Sequence, residues 1–359
     1  MKALVLGGTG FVGMNLVRAL VASGHDVTAT RRFHGNTLFA RRLGAPLVHV
    51  ELDDVDSLTR AMLGRDVVFN CAGHYPRYSL DKEAELTTAR RRTQNTILAA
   101  RRAGIQRYVL TSSVATVGPP RAGQPLSDEQ DSAEPRSLEC VYHSTKAAIE
   151  EEVLAAGRAG LDVVVVLPTA IFGELDVKAG TGFLIVAVGN RSLPFMIEGP
   201  SNVVDAEDLA RGHILAAERG RSGERYIVGG HNLPVTALLR AFAEILAVPL
   251  EAKLVPMNVA AWRATLGEAR ARAVGNGARA PMARELIDVV NFGRYVQNTK
   301  AEAELGLPAP TPLHSTLKKA CDWYARHRYL RLAQGTVNAE HFSDTNPDRH
   351  RSHHSPHST

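Results

Sequence analysis

Two short runs in this chain carry side chains of the kind that chemistry uses. Tyr142-His143-Ser144-Thr145-Lys146 sets a phenol and an ammonium four residues apart, so on a helix they share one face. A free phenol has a pKa of about 10, and a neighbouring ammonium favours its ionised form, bringing proton exchange toward working pH. Tyr-x-x-x-Lys pairs also arise by chance, so their company matters. Upstream, a strand-like segment ends in Leu110-Thr111-Ser112-Ser113, whose hydroxyls could hold a substrate oxygen. Hydride addition to a carbonyl builds negative charge on that oxygen, which calls for a hydroxyl donor and a proton source.

The second run is Gly7-Gly8-Thr9-Gly10-Phe11-Val12-Gly13. It follows a short apolar strand, Lys2 to Leu6, and opens a helical pattern from Phe11 to Ala22. Absent side chains let a pyrophosphate approach the backbone, and the helix N-terminus supplies N–H donors and a positive dipole. A glycine turn alone would be weak; here strand and helix flank it as a dinucleotide site requires. The next strand ends in Thr30-Arg31-Arg32. An acidic residue there would bind a ribose 2′-hydroxyl, as for NAD, whereas arginine offers a planar, multi-donor cation to a 2′-phosphate. NADP(H) is therefore the favoured cofactor and NAD(H) the alternative, the competing reading of Arg31 and Arg32 being solvated loop arginines.

The frame that must position these groups alternates strand and helix, the pattern of a parallel α/β sheet. Strands are expected over Lys2–Leu6, Asp26–Thr30, Leu47–Val50, Asp66–Asn70, Arg107–Thr111 and Leu161–Leu167, the last buried on both faces. A helix runs from about Leu80 to Ala103, stopped by Gly104, and another over Tyr142–Ala156. Residues 118–137 read as a loop. After Pro168 the pattern loosens, with helices expected over Ala206–Glu218, Val235–Leu246 and Asn258–Val274. The expected organisation is a dinucleotide-binding domain over 1–170 and a substrate-binding lobe over 171–331, with the return of some of its segments to the sheet left open. Residues 332–359 form a His-rich tail that reads as a disordered end rather than a metal site.

With these landmarks the chain resembles the extended short-chain dehydrogenases/reductases from Met1 to about Tyr329. The glycine turn, the Thr111-Ser112-Ser113 segment, Tyr142 with Lys146, and the downstream runs Val203–Ala210 and Gly223–Tyr226 all match. The likeness points to the dihydroflavonol-4-reductase-like branch, beside the 3β-hydroxysteroid dehydrogenases. It implies α/β architecture: a Rossmann-type doubly wound parallel sheet with a smaller, mixed α/β C-terminal lobe. It also implies that Tyr142 exchanges the proton, Lys146 holds the nicotinamide ribose, and Ser113 bonds the substrate oxygen, with Ser112 left as the one-residue alternative. Cofactor contacts implied are Gly7, Thr9, Gly10, Phe11, Val12, Gly13, Arg31, Arg32, Glu51 and Leu52 beside adenine, and Cys71, Ala72 and Gly73 beneath the pyrophosphate. Thr111, Ser112, Tyr142, Lys146, Pro168 and Ile171 complete the set toward the nicotinamide. Three positions depart from the family pattern: Leu6 stands where Thr is usual, Ala89 where a helix Asn is usual, and Leu167 where Arg precedes Pro168.

Other residues carry weaker signals. His74, Tyr75, Arg77 and Tyr78 follow the fourth strand, where substrate loops sit in such folds, with loop packing as the competing reading. His143 is expected on the exposed side of its helix. Nothing near Cys140 marks an activated thiol. Phe183, Phe195 and Met196 fit an apolar pocket or the core equally.

The rest bounds the function. The 359 residues, 45% hydrophobic and 22% charged, suit a globular protein with a sizeable core. Three scattered cysteines give neither a disulfide framework nor metal-ligand spacing, which fits a reducing, cytoplasmic setting. No apolar run approaches a membrane span of roughly 20 residues. The net charge of +5 is spread over several helices, its densest cluster being Arg90-Arg91-Arg92, without a nucleic-acid-binding signature. The expected partner is a small carbonyl substrate, not nucleic acid or membrane, and the resemblance implies a homodimer through the helices near 80–103 and 142–156. The leading function is NADPH-dependent reduction of a ketone or aldehyde on a largely apolar or aromatic metabolite. The alternatives are a nucleotide-sugar epimerase or dehydratase that keeps NAD bound, and a non-catalytic NADP sensor. Val114, directly after Ser113, stands where dehydratases usually carry an acid, and the intact Tyr142/Lys146 pair argues against a sensor.

Overall fold

A computed structural model of the chain describes residues 1–32, 37–74, 81–274 and 284–331. Tyr75, Arg77, Tyr78 and the His-rich tail lie outside the described residues. The apolar runs of the first half become strands β1 (Lys2–Leu6), β2 (Asp26–Arg31), β3 (Leu47–His49), β4 (Val67–Asn70), β5 (Arg107–Thr111) and β6 (Val163–Pro168). Between them lie helices α1 (Phe11–Ala22), α2 (Val55–Met62), α3 (Lys82–Ala103) and α4 (Val141–Arg158). The second half adds β7 (Ala170–Phe172), α5 (Phe183–Gly189), β8 (Pro200–Asp205), α6 (Ala206–Arg219), β9 (Arg225–Val228) and β10 (His231–Pro234). It ends with α7 (Val235–Ile245), α8 (Met257–Val274), α9 (Arg284–Asn291), α10 (Thr299–Leu305) and α11 (Leu313–Arg326).

Seven strands form one parallel sheet in the order β3-β2-β1-β4-β5-β6-β9. The interiors of its central strands are apolar because helices cover both faces; every residue of Val163–Pro168 is buried. On one face Leu4, Leu6, Val68, Leu110, Val165 and Leu167 pack with Ile97, Ile149 and Val153 of α3 and α4. On the other, Ala3, Val5, Phe69, Val164 and Val166 pack with Leu16 and Leu20 of α1, Leu209 of α6 and Leu305 of α10. This is the parallel α/β sheet that the sequence pattern predicts, in the Rossmann-type doubly wound form that the resemblance implies.

The second lobe is a three-stranded mixed sheet, β10-β8-β7, in which β7 and β8 are parallel and β10 antiparallel. Phe172, Phe242, Leu238, Trp323 and Tyr324 form its core with α5, α7 and α11. Around residue 170 the chain leaves the large sheet, but β9 pairs with β6 and so returns to it. Phe195 and Met196 are core, in separate clusters, and Phe183 lines neither of the cavities described below. Among the described residues, no helix is long and apolar enough to cross a membrane.

Element ends differ from the pattern where a polar group takes over. Asp66 stands outside β4 because its carboxylate accepts the Lys2 N–H at 2.7 Å. Helix α3 starts at Lys82 because Asp81 caps it, accepting the Ala84 N–H at 3.0 Å. Gly104 ends it in the left-handed conformation, φ 69°.

Candidate active site

The sheet order reverses between β1 and β4, since α1 leaves on one face and α3 on the other; a crevice at such a point is where an open α/β sheet takes ligands. The glycine turn lies at its floor. Gly7 holds φ +77°, and a Cβ there would lie 2.9 Å from the Ala72 nitrogen. A Cβ on Gly13 would lie 2.2 Å from the Gly7 carbonyl oxygen, so this glycine brings α1 against the turn. Gly10 caps α1 without a side chain, which leaves first-turn N–H groups of the kind that bind anions. The turn is fixed to β2 by the Gly7 N–H, which donates to Thr30 Oγ1 at 3.1 Å.

A cavity of about 550 Å³ opens there, lined by Gly7, Thr9, Gly10, Thr30, Arg31, Arg32, Glu51, Leu52, Cys71, Ala72 and Gly73, with His74, Arg92 and Lys178. Its polar floor, bare glycine backbone and rim of cations suit the diphosphate and adenosine of a dinucleotide. Glu51 is held by His49 Nε2 at 3.0 Å. Arg92 is tied to Asp53 at 3.1 and 2.9 Å, and these bonds hold the Asp53 carboxyl below its usual range, with Arg91 assisting.

A second cavity, about 310 Å³, continues from Gly10, Cys71 and Gly73 past Phe11, Val12, Thr111, Ser112, Ser113, Tyr142, Lys146, Pro168 and Ile171. Here the Tyr142 hydroxyl donates to Ser113 Oγ at 3.1 Å. Lys146 Nζ reaches the Thr111 carbonyl at 3.5 Å and lies 3.1 Å from where a Cβ on Gly73 would stand. Burial pushes the Lys146 ammonium down to about 8, against the pull of Glu150 one turn later.

The structure separates the two adjacent serines. Ser113 opens toward Tyr142 and caps the short turn 114–116 through the Ala115 N–H. Ser112 turns the other way and donates to the buried carboxylate of Glu150. Thr116 donates to the same oxygen at 2.9 Å, and Arg225 of β9 pairs with the other at 2.7 Å. Beneath Thr111, His213 Nδ1 donates to the Leu209 carbonyl at 2.9 Å, so its Nε2 accepts from the Thr111 hydroxyl at 2.8 Å. Burial holds His213 down to about 4, hence neutral.

His143 corrects the expectation of an exposed residue. It is buried, its ring set edge-on between Tyr142 and Phe292. The reason is tertiary: the second lobe, with Phe292 and Arg294, covers the start of α4, a contact that helical periodicity does not reveal. Burial, with Arg294 nearby, lowers its pKa to about 4. His74 lies on the adenosine side of the cleft, bonded to Glu85, rather than among the residues around Tyr142. The departures Leu6, Ala89 and Leu167 are all buried in the sheet core and leave the lining intact.

The lining also holds residues that sequence reasoning did not select: Thr30, Arg92, Lys178, Thr169, Gly180 and Thr181. Thr30 was legible as the last small polar residue before Arg31. Arg92 and Lys178 reach the cleft from elements distant in sequence, which no local pattern signals.

The model of the NAD dependent epimerase/dehydratase family matches residues 3–229. A Synechocystis protein provisionally named a dihydroflavonol 4-reductase is 33% identical, across 91% of this chain and 95% of that protein. A 4-hydroxy-2-methyl-3-oxo-4-farnesyl-3,4-dihydroquinoline-1-oxide ketoreductase of Stigmatella aurantiaca is 32% identical, across 85% and 91%. The crystal structure of a nucleoside-diphosphate-sugar epimerase from Pseudomonas aeruginosa superposes with a TM-score of 0.77 at 30% identity, covering 92% of this chain and 99% of that one.

Proposed function

The chain belongs to the NAD dependent epimerase/dehydratase family, a family of NAD(P)-dependent oxidoreductases, and within it we propose an NADPH-dependent reductase of a ketone or aldehyde. The observation that carries this reading is the pairing, along one cleft, of Arg31 and Arg32 with the Ser113–Tyr142–Lys146 cluster. The arginines favour a 2′-phosphate, and the cluster favours a carbonyl oxygen. NADPH and NADH titrations of nucleotide-stripped protein test it. Preference for NADPH, lost in an Arg31→Ala/Arg32→Ala variant, is expected; preference for NADH overturns it.

A bound nicotinamide would supply the hydride. The chain's own groups handle the oxygen. Ser113 Oγ and the Tyr142 hydroxyl, 3.1 Å apart, converge on one point where a carbonyl oxygen can accept from both. Tyr142 passes its proton to that oxygen as charge develops there. Lys146 would hold the ribose hydroxyls, and its positive charge favours the phenolate that Tyr142 becomes. Phe11, Val12, Pro168 and Ile171 give the nicotinamide end of the cleft apolar walls, and a largely apolar or aromatic ketone or aldehyde is the substrate class we propose beside them. The ketoreductase name of the Stigmatella relative supports the same reaction class.

The second reading is a nucleotide-sugar epimerase, favoured by the likeness to the Pseudomonas structure. It requires a retained NAD, and the cations at the end of β2 weigh against that.

A further inference from the structure

We propose that Lys178, on the segment joining β7 to α5, supplies a third cation to the adenosine 2′-phosphate of NADPH, so that cofactor choice is made by both lobes. The inference rests on the NADPH reading above and extends it to a residue outside the dinucleotide-binding half.

Residues 173–182 lie as a strap over the cleft. One end of it lines the adenosine cavity through Lys178; Gly180 and Thr181 line the cavity that holds Tyr142. The strap is fastened to both lobes. Toward α1, Asn15 donates to the Glu174 carbonyl at 3.0 Å and Arg18 pairs with the Glu174 carboxylate at 3.0 Å. Toward α11, Arg326 pairs with the same carboxylate at 2.9 Å, and the Tyr324 hydroxyl donates to the Asp176 carbonyl at 3.0 Å. Just beyond, the Tyr329 hydroxyl donates to the Val177 carbonyl at 2.8 Å. Within the strap, the Asp176 carboxylate accepts the Gly180 and Gly182 N–H groups at 2.8 and 3.1 Å.

Backbone conformation singles out Lys178 further. Leu175 (φ 71°) and Ala179 (φ 47°) both adopt the left-handed region, unfavourable for residues with a Cβ. Such strain persists only where the surroundings over-determine it, and it concentrates at ligand clamps. Here it brackets the one lysine of the segment.

Packing places the strap on the 2′-phosphate side. Leu175 and Val177 cluster with Met14 of α1 and with Phe39, Ala40 and Leu43, which follow Arg31 at the end of β2 and Arg32 just beyond it. Charge gives the reason for a further cation. A phosphate monoester carries about two negative charges at neutral pH, and Lys178 lines the same cavity as Arg31 and Arg32. A lysine serves such a phosphate as a point charge.

The test is equilibrium binding of NADPH and NADH to the full-length protein, read by intrinsic fluorescence, for wild type, Lys178→Gln and Lys178→Arg. Thermal midpoints without nucleotide confirm that the variants fold. The expected result is NADPH affinity about tenfold weaker in Lys178→Gln, NADH affinity changed less than twofold, and recovery in Lys178→Arg. Equal weakening toward both nucleotides would assign Lys178 to the shared diphosphate and overturn the proposal, as would no change toward either. A wild type that does not prefer NADPH would instead overturn the NADPH reading on which the proposal stands. Failure of the parent reading thus shows in the wild type, and failure of the Lys178 assignment in the variants.

Discussion

Arg225 Nε lies 2.7 Å from Glu150 Oε1, joining the edge strand β9 to the helix that bears Tyr142 and Lys146. The same guanidinium donates to the Thr116 carbonyl at 3.3 Å and to the Glu129 carbonyl at 3.1 Å. Because Ser112 and Thr116 also bond to Glu150, one buried carboxylate ties the turn bearing Ser113 to α4. Val165, Leu167 and Arg225 belong to adjacent strands, with Val165 and Arg225 in register.

Removing one partner of this pair should be costly. Arg225→Met leaves Glu150 buried without its cation, and a loss of about 3–5 kcal/mol is expected. Urea denaturation measures it; a loss below about 1 kcal/mol would mean the pair is solvated.

The adjacent serines should separate by function. Ser113→Ala is expected to lower kcat up to about 10²-fold while leaving the unfolding midpoint near that of wild type. Ser112→Ala is expected to lower stability by about 1 kcal/mol, with the smaller effect on kcat. The reverse pattern would exchange their roles.

How far the sequence reveals all this depends on distance along the chain. The six strands β1 to β6, the glycine turn and the Tyr142/Lys146 pair are local patterns, and each was legible from periodicity or spacing. Strands β7 to β10 were not, because the glycines and prolines among which they are set interrupt the pattern. Helix α2 was missed although Asp54 caps it, because at eight residues it is short. Glu150 could have been suspected as a carboxylate one turn after Lys146 on a buried face. Arg225, Arg92 and Lys178 acquire their places only when distant segments meet, as does the burial of His143.

Acid should destabilise the fold in a defined window. His143 and His213 are held at about 4, below the ordinary 6.5. The unfolded chain therefore binds more protons between these values, so stability is full above about 6.5 and declines as pH falls toward 4. Each histidine contributes up to about 1.4 kcal/mol per pH unit within the window. Urea midpoints at pH 7, 6 and 5 check this, and His213→Gln should flatten the slope; an unchanged slope contradicts it.

Nucleotide binding should weaken in alkali. Lys146 is held near 8 in the free protein, so its charge is lost as pH rises through that value, well below the ordinary lysine range. NADPH affinity should drop a few-fold between about pH 7 and 9 in wild type. In Lys146→Met it should be weaker at pH 7 and flatter across the same range. Parallel curves would remove Lys146 from the cofactor site.

The most direct test of the reductase reading is transfer of deuterium from NADPH labelled at nicotinamide C4 to a panel of apolar and aromatic ketones and aldehydes. The account predicts an alcohol carrying the label on the former carbonyl carbon, one per NADPH oxidised. It also predicts a rate about 10²–10⁴-fold lower in Tyr142→Phe with NADPH still bound. Contradiction would be an absence of net NADPH oxidation across the panel, with NAD retained through purification and sugar nucleotides epimerised instead.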